Sequence, residues 1–170
     1  MKHLRYMMTA LAALFSMAAA GSVSAETLIG KHGDWEAFTA QENGKRVCYI
    51  GSVPTKSRGK YSKRGRTFLL ITHRPAERSK NVLSLQAGYT YKKGSEVDLA
   101  IGKAAFKLFT DERWAFATDS ATDNELVKTM IRGATMVAKG VSSRGTRTTD
   151  TYSLKGFTAA YKAIGKACKI

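Results

Sequence analysis

Hydrophobic and polar positions alternate through most of the chain from Gly33 onward, the period of strands whose successive side chains face opposite sides of a sheet. The segments "DWEAFTA" and "KRVCYIGS" flank "QENGK", where Asn43 and Gly44 form a dipeptide favoured in tight hairpins because both tolerate positive φ. Trp35 and Cys48 then fall on neighbouring strands. "TFLLITHR" (67–74) and "NVLSLQAGY" (81–89) are rich in Leu, β-branched and aromatic residues and are parted by the turn-forming "PAERSK". "EVDLAI", "AAFKLFT" and "RWAFAT" continue as short strands, punctuated by Gly94, Gly102 and the acidic pair Asp111 and Glu112. "ATMVAKGVS" and "TRTTDTYSL" predict a further hairpin turning at Ser143, Arg144 and Gly145. Short strands at near-regular spacing with Gly-containing turns predict an all-β fold, an antiparallel sandwich or barrel.

Two segments change period and predict short helices. "TDNELVKTMIRGA" opens with Thr122 and Glu125 in capping-box spacing and sets Leu126, Met130 and Ile131 on one face before Gly133. "SLKGFTAAYKAIGKAC" repeats Phe157, Ala160, Tyr161, Ile164 and Cys168 at spacings of three or four, a stripe that reads as a core face. In its approach, Ser153 can cap and Gly156 permits close packing.

The start of the chain reads differently. Lys2 and Arg5 precede an apolar run over residues 7–20, and small residues Val23 and Ala25 stand before Glu26, the pattern of a secretory leader cleaved after residue 25. At ~1.5 Å per residue that run reaches about 21 Å as a helix, short of a ~30 Å hydrocarbon core. Residues 26–170 are expected to form one β-rich domain with no transmembrane span, either periplasmic, secreted or associated with the outer membrane. Export sets the chemistry of the two cysteines. In an oxidising compartment Cys48 and Cys168 are expected to pair and close nearly the whole domain. A metal site would need three or four convergent ligands, and only His32 and His73 accompany them, in no ligand-like spacing; no metal and no cofactor is expected.

Charge adds a separate signal. The sequence holds 28 Lys and Arg against 13 Asp and Glu, and the leader takes two cations and no acid, leaving +13 on the exported part. That exceeds the ~2 to 8 that keeps a small domain soluble. The cations concentrate in "VPTKSRGKYSKRGRTF", where Lys56, Arg58, Lys60, Lys63, Arg64 and Arg66 are spaced by small polar residues with no acid among them. This reads as a mobile solvated loop. Arg74, Arg78, Lys80, Lys92, Lys93, Arg144 and Arg147 fall in other turns, and turns that share one end of the domain would focus a positive field. The segment is either a polyanion-binding element or a solubility device. Nucleic acid is not expected, since an exported chain without a recognised binding module does not meet it.

No motif marks catalysis. Gly-x-Ser-x-Gly is absent, and "GKHGDW" and "RGKYSKRG" lack the context of phosphate-cradling loops. His73 reads as a strand residue beside Arg74 at a sheet edge, and Asp111 and Glu112 as a solvated turn neutralised by Arg113. No catalytic residue is assigned.

"GDWEAF", the single Cys of "RVCYIGSVP" and the C-terminal "DTYSLKGFTAAYKAIGKAC" together resemble the invasion-associated locus B family of exported alphaproteobacterial proteins, over Gly33 to Cys168. Trp35, Cys48, Tyr152, Ser153, Gly156, Phe157 and Cys168 carry the resemblance, and all read as scaffold. It implies a small β-rich envelope or secreted protein, linked in some pathogens to invasion of host cells and without established enzymatic activity. The expected function is non-catalytic contact with an anionic glycolipid, an acidic glycan or an envelope or host surface protein. The alternative is a periplasmic structural or chaperone-like factor that binds envelope proteins by strand-edge pairing.

Overall fold

The computed structural model describes residues 26–170, so the leader expected over residues 1–25 lies outside the described residues. Among the described residues, eleven strands form one antiparallel sheet. The hairpin of β2 (Trp35–Glu42) and β3 (Lys45–Ser52) turns at Asn43 and Gly44, whose φ of 51° and 73° are both left-handed, as the dipeptide requires. Edge strand β1 (Thr27–His32) lies against β2. On the other side of β3 come β5 (Phe68–Arg74) and β6 (Ser79–Gln86), then β9 (Trp114–Phe116), β8 (Ala104–Asp111) and β7 (Glu96–Ile101). The order ends with β10 (Thr135–Val141), β11 (Arg147–Ser153) and the second edge strand, β4 (Lys56–Gly59).

The position of β4 shapes the sheet. It follows β3 after residues 53–55, yet pairs with β11 at the opposite end of the strand order. Ser52 and Lys56 are four steps apart, at most about 14 Å of extended chain, so the sheet must roll until its ends approach. Isolated bonds cross the seam: Asp34 N–H donates to the Lys155 carbonyl at 3.1 Å and Trp35 Nε1 to the Ser153 carbonyl at 3.0 Å. No ladder joins β1 to β4 among the described residues, so the roll stops short of a closed barrel.

The core gathers the inward faces of the strands with two helices. In α2 (Phe157–Cys168) Phe157, Ala160, Ile164 and Cys168 are buried, as the stripe requires. Helix α2 packs against β1, β2, β3 and β5, with Phe157 edge-on to Trp35 at 4.9 Å between centroids. Cys168, in its last turn, is joined to Cys48 of β3 by a disulfide across 120 residues. Helix α1 (Ser120–Arg132) starts earlier than the capping-box reading, because Asp119 caps it by accepting from Thr122 N–H at 2.7 Å. Asp123 is thereby placed inside the helix, where its carboxylate accepts from Leu83 N–H of β6 at 2.9 Å. Its buried face is Leu126, Val127 and Met130, while Ile131, expected there, is 40% exposed.

The strand-to-helix junction also differs from the reading of Ser153 as a cap. Ser153 Oγ accepts from Lys155 N–H at 3.2 Å, and Gly156 occupies the cap position with φ +90°. A Cβ on Gly156 would press into the His32 backbone carbonyl. Gly156→Ala is therefore expected to lower stability by at least about 2 kcal/mol, from left-handed strain and the clash together. Urea unfolding checks this; a loss under about 0.5 kcal/mol would mean that β1 and the junction yield easily.

Candidate anion-binding site

The basic segment is not the free loop its composition suggests. Its first part is β4, held to β11 through the register Thr148 to Gly59 and Thr151 to Lys56. Its second part is anchored by Arg64, whose Nη1 and Nη2 donate to the two Asp150 carboxylate oxygens at 2.7 and 2.5 Å. Arg64 Nε donates to the Ala87 carbonyl at 2.6 Å, and Gly65 N–H to the Gly88 carbonyl at 2.9 Å. Asp150 also accepts from Ser57 Oγ at 2.7 Å. The Arg64 guanidinium lies 5.2 Å from the Tyr89 ring centroid and 5.4 Å from that of Tyr61. Burial works against the charge on Arg64, but the bonds and charge of Asp150 outweigh it and hold its pKa above the ordinary value.

Above this anchor lies a depression of about 550 Å³. Lys60 and Lys63 line it from the basic segment, Arg113 from the β8–β9 turn and Arg144 from the β10–β11 turn, with Arg64 at its wall. Ser62, Thr90, Ser143 and Thr146 place hydroxyls among the cations, and Tyr89 Oη shares a hydrogen bond with Thr148 Oγ1 at 2.6 Å. No carboxylate, imidazole or thiol lines the depression. Among the described residues, Lys60, Lys63, Arg113 and Arg144 enter no ion pair. Four uncompensated cations around a concavity focus a positive field into it.

The six cations singled out in the sequence thus separate. Lys60, Lys63 and Arg64 reach the depression, and Arg64 serves there as a buried ion-pair anchor. Lys56 and Arg58 lie on the exposed edge strand β4. Arg66 lines a different groove. Of the cations in other turns, Arg144 joins the depression. Arg113 was hidden in the sequence by its acidic neighbours Asp111 and Glu112, which suggested local neutralisation; the turn sends it to the depression without an ion pair.

A larger groove, about 720 Å³, runs over the outer face of β2, β3 and β5. Phe38 and Tyr49 stack there at 5.1 Å, and Phe68 meets Trp114 edge-on at 5.6 Å. Two of its three cations are paired, Lys31 with Glu36 at 3.1 Å and Arg74 with Glu42 at 2.9 Å, which leaves Arg66. The smaller depression is the stronger candidate, because its cations are left without carboxylates.

His73 is not at an edge. It lies inside the sheet, opposite Cys48 on β3, and its Nδ1 accepts from Asn81 N–H at 3.0 Å. The Tyr161 ring of α2 meets it edge-on at 5.5 Å. Burial, followed by the charge of Lys80, lowers its pKa although a backbone bond opposes the shift. The unfolded imidazole takes up a proton near 6.5 while the folded one resists, so stability is full above that pH and falls as pH drops below it. The wild type is expected to lose up to about 1.4 kcal/mol per pH unit more than His73→Gln between pH 6.5 and 5. Parallel slopes in urea titrations at these pH values would contradict the assignment.

Among the described residues no helix is long and apolar enough to cross a membrane, and no group of three or more His, Cys, Asp or Glu is placed to hold a metal ion. A family model described as invasion associated locus B (IalB) protein matches residues 35–165. The crystal structure of invasion associated protein B from Bartonella henselae is similar in fold, with a TM-score of 0.59 at 15% identity, covering 84% of this chain and 98% of that one. No curated protein matches the sequence.

Proposed function

The chain belongs to the invasion associated locus B family, and from that premise we propose that it is an exported, non-catalytic, envelope-associated protein that binds anionic surfaces through the basic depression. The observation that carries this reading is the meeting of Lys60, Lys63, Arg113 and Arg144 from three separate turns around one concavity without a carboxylate. A solubility device needs charge only to be spread over the surface, whereas convergence raises the local potential and offers forked donors to oxyanions. The lining also lacks the imidazole and carboxylate groups that most often serve as general bases, which favours binding. An association with invasion, which the name of the Bartonella protein gives for that protein, would use the same contact.

Strand-edge pairing has weaker support. Edge strand β1 is bent by an irregularity between Leu28 and Gly30, and β4 presents Lys56 and Arg58, both devices that blunt an edge.

Retention on immobilised heparin and lipopolysaccharide at graded salt tests the proposal. Wild-type protein is expected to bind at low salt and elute as exposed charges are screened over ~8 to 10 Å. The K60Q/K63Q/R113Q/R144Q variant is expected to lose retention at a stability change within about 0.5 kcal/mol. Variant K56Q/R58Q, altered on β4 away from the depression, should retain most of it. Equal retention of the quadruple variant and the wild type would return these cations to the solubility role.

A further inference from the structure

We propose that the depression takes a sugar carrying two phosphate monoesters, an inference that rests on the anion-binding reading above and narrows it. The first ground is charge balance. Asp150 cancels Arg64, leaving Lys60, Lys63, Arg113 and Arg144 facing the concavity. A phosphate monoester carries about −1.5 to −2 at neutral pH, so two of them match four cations. A sulfate ester, with a single charge, would leave a surplus in the same volume.

The second ground is shape. The cations come from three turns around one concavity of about 550 Å³, which suits a compact head group better than a linear chain. Arg113 and Arg144 stand on separate turns, so each can fork onto its own phosphate, while Lys60 and Lys63 add point charge.

The third ground is the polar lining between the charges. Ser62, Thr90 and Ser143 are exposed hydroxyls that can exchange hydrogen bonds with a polyol, and Tyr61, 37% exposed beside Arg64, offers an aromatic wall for sugar C–H groups. Bare phosphate would use the cations and leave these groups idle. The same chemistry is met in a free sugar bisphosphate and in the head group of a bisphosphorylated glycolipid.

Calorimetric titration of the oxidised domain at low salt with glucose 1,6-bisphosphate, glucose 1-phosphate and inorganic phosphate tests the inference. The bisphosphate is expected to bind at least about tenfold tighter than either other probe, and R113Q and R144Q each to weaken it about tenfold. Equal binding of all three probes, or unchanged binding by both variants, would overturn it. Vesicles of phosphatidylcholine doped with a bisphosphorylated glucosamine-disaccharide lipid, or with phosphatidylglycerol at equal charge, separate the sources. Preference for the glycolipid supports the inference with a membrane-borne ligand, and binding of the soluble bisphosphate alone supports it with a free one. Equal binding to both vesicle types removes the sugar from the account. If heparin retention depends on the four cations while no bisphosphate binds, only this inference fails; if heparin is not retained at all, the broader reading fails with it.

Discussion

Replacing Arg64 by Met is expected to destabilise the domain by about 3–5 kcal/mol, the cost of leaving a buried carboxylate without its charged partner. The side chains of Arg64 and Asp150 are only 7% and 5% exposed, so water cannot take over the lost bonds. Asp150 would keep one hydroxyl donor, Ser57, and lose a bidentate guanidinium, while the Ala87 carbonyl would lose its bond from Nε. Removing both charges separates the mechanism from a packing effect. Arg64→Met with Asp150→Asn is expected to recover more than half of the loss, since a neutral amide buried beside Ser57 costs far less than an unpaired anion. Urea unfolding of the two variants decides it, and a loss below about 1 kcal/mol in the single variant would show that Asp150 finds another partner. The same substitution should weaken heparin retention, because Arg64 holds the segment that carries Lys60 and Lys63.

Cutting the disulfide is expected to have the next largest effect. Joining Cys48 to Cys168 closes a loop with a sequence separation of 120 residues. Loop-closure entropy for that length gives about 5 kcal/mol as an upper figure, which corresponds to a thermal midpoint lowered by roughly 10–20 °C. Reduction also frees the last turn of α2 from β3, although Phe157, Ala160 and Ile164 still hold its first two turns in the core. Both the reduced protein and the Cys48→Ser/Cys168→Ser variant should therefore remain folded at room temperature and melt early. An unchanged midpoint in both would mean that α2 packing alone confines the chain.

The parts legible in the sequence are those whose pattern is local. Alternation located β2, β3, β5, β7 and β10, the Asn43 and Gly44 turn set the first hairpin, and the stripe from Phe157 to Cys168 marked α2 and its tie to the strand bearing Cys48. Features set by distant partners were not legible. Strand β4 is exposed along its length and has no alternation to read; pairing with β11 makes it a strand. Two capping residues compete near the start of α1. Asp119 wins over Thr122 because starting the helix there carries Asp123 to the Leu83 amide, a contact 40 residues away. Arg64 looked like its five neighbours in the basic segment, and only Asp150, 86 residues on, distinguishes it. The depression itself belongs to this second class: each cation was visible, but their meeting depends on how the rolled sheet brings three turns together.

The most direct measurement is chemical-shift mapping by NMR of the oxidised domain during titration with a heparin oligosaccharide. Amide shifts are expected to concentrate at residues 60–64, Thr90, Arg113 and residues 142–146, and to fade as salt rises. Shifts spread evenly over exposed lysines such as Lys31, Lys103 and Lys128, or confined to the outer groove around Phe38, Tyr49 and Trp114, would contradict a single anion-binding depression.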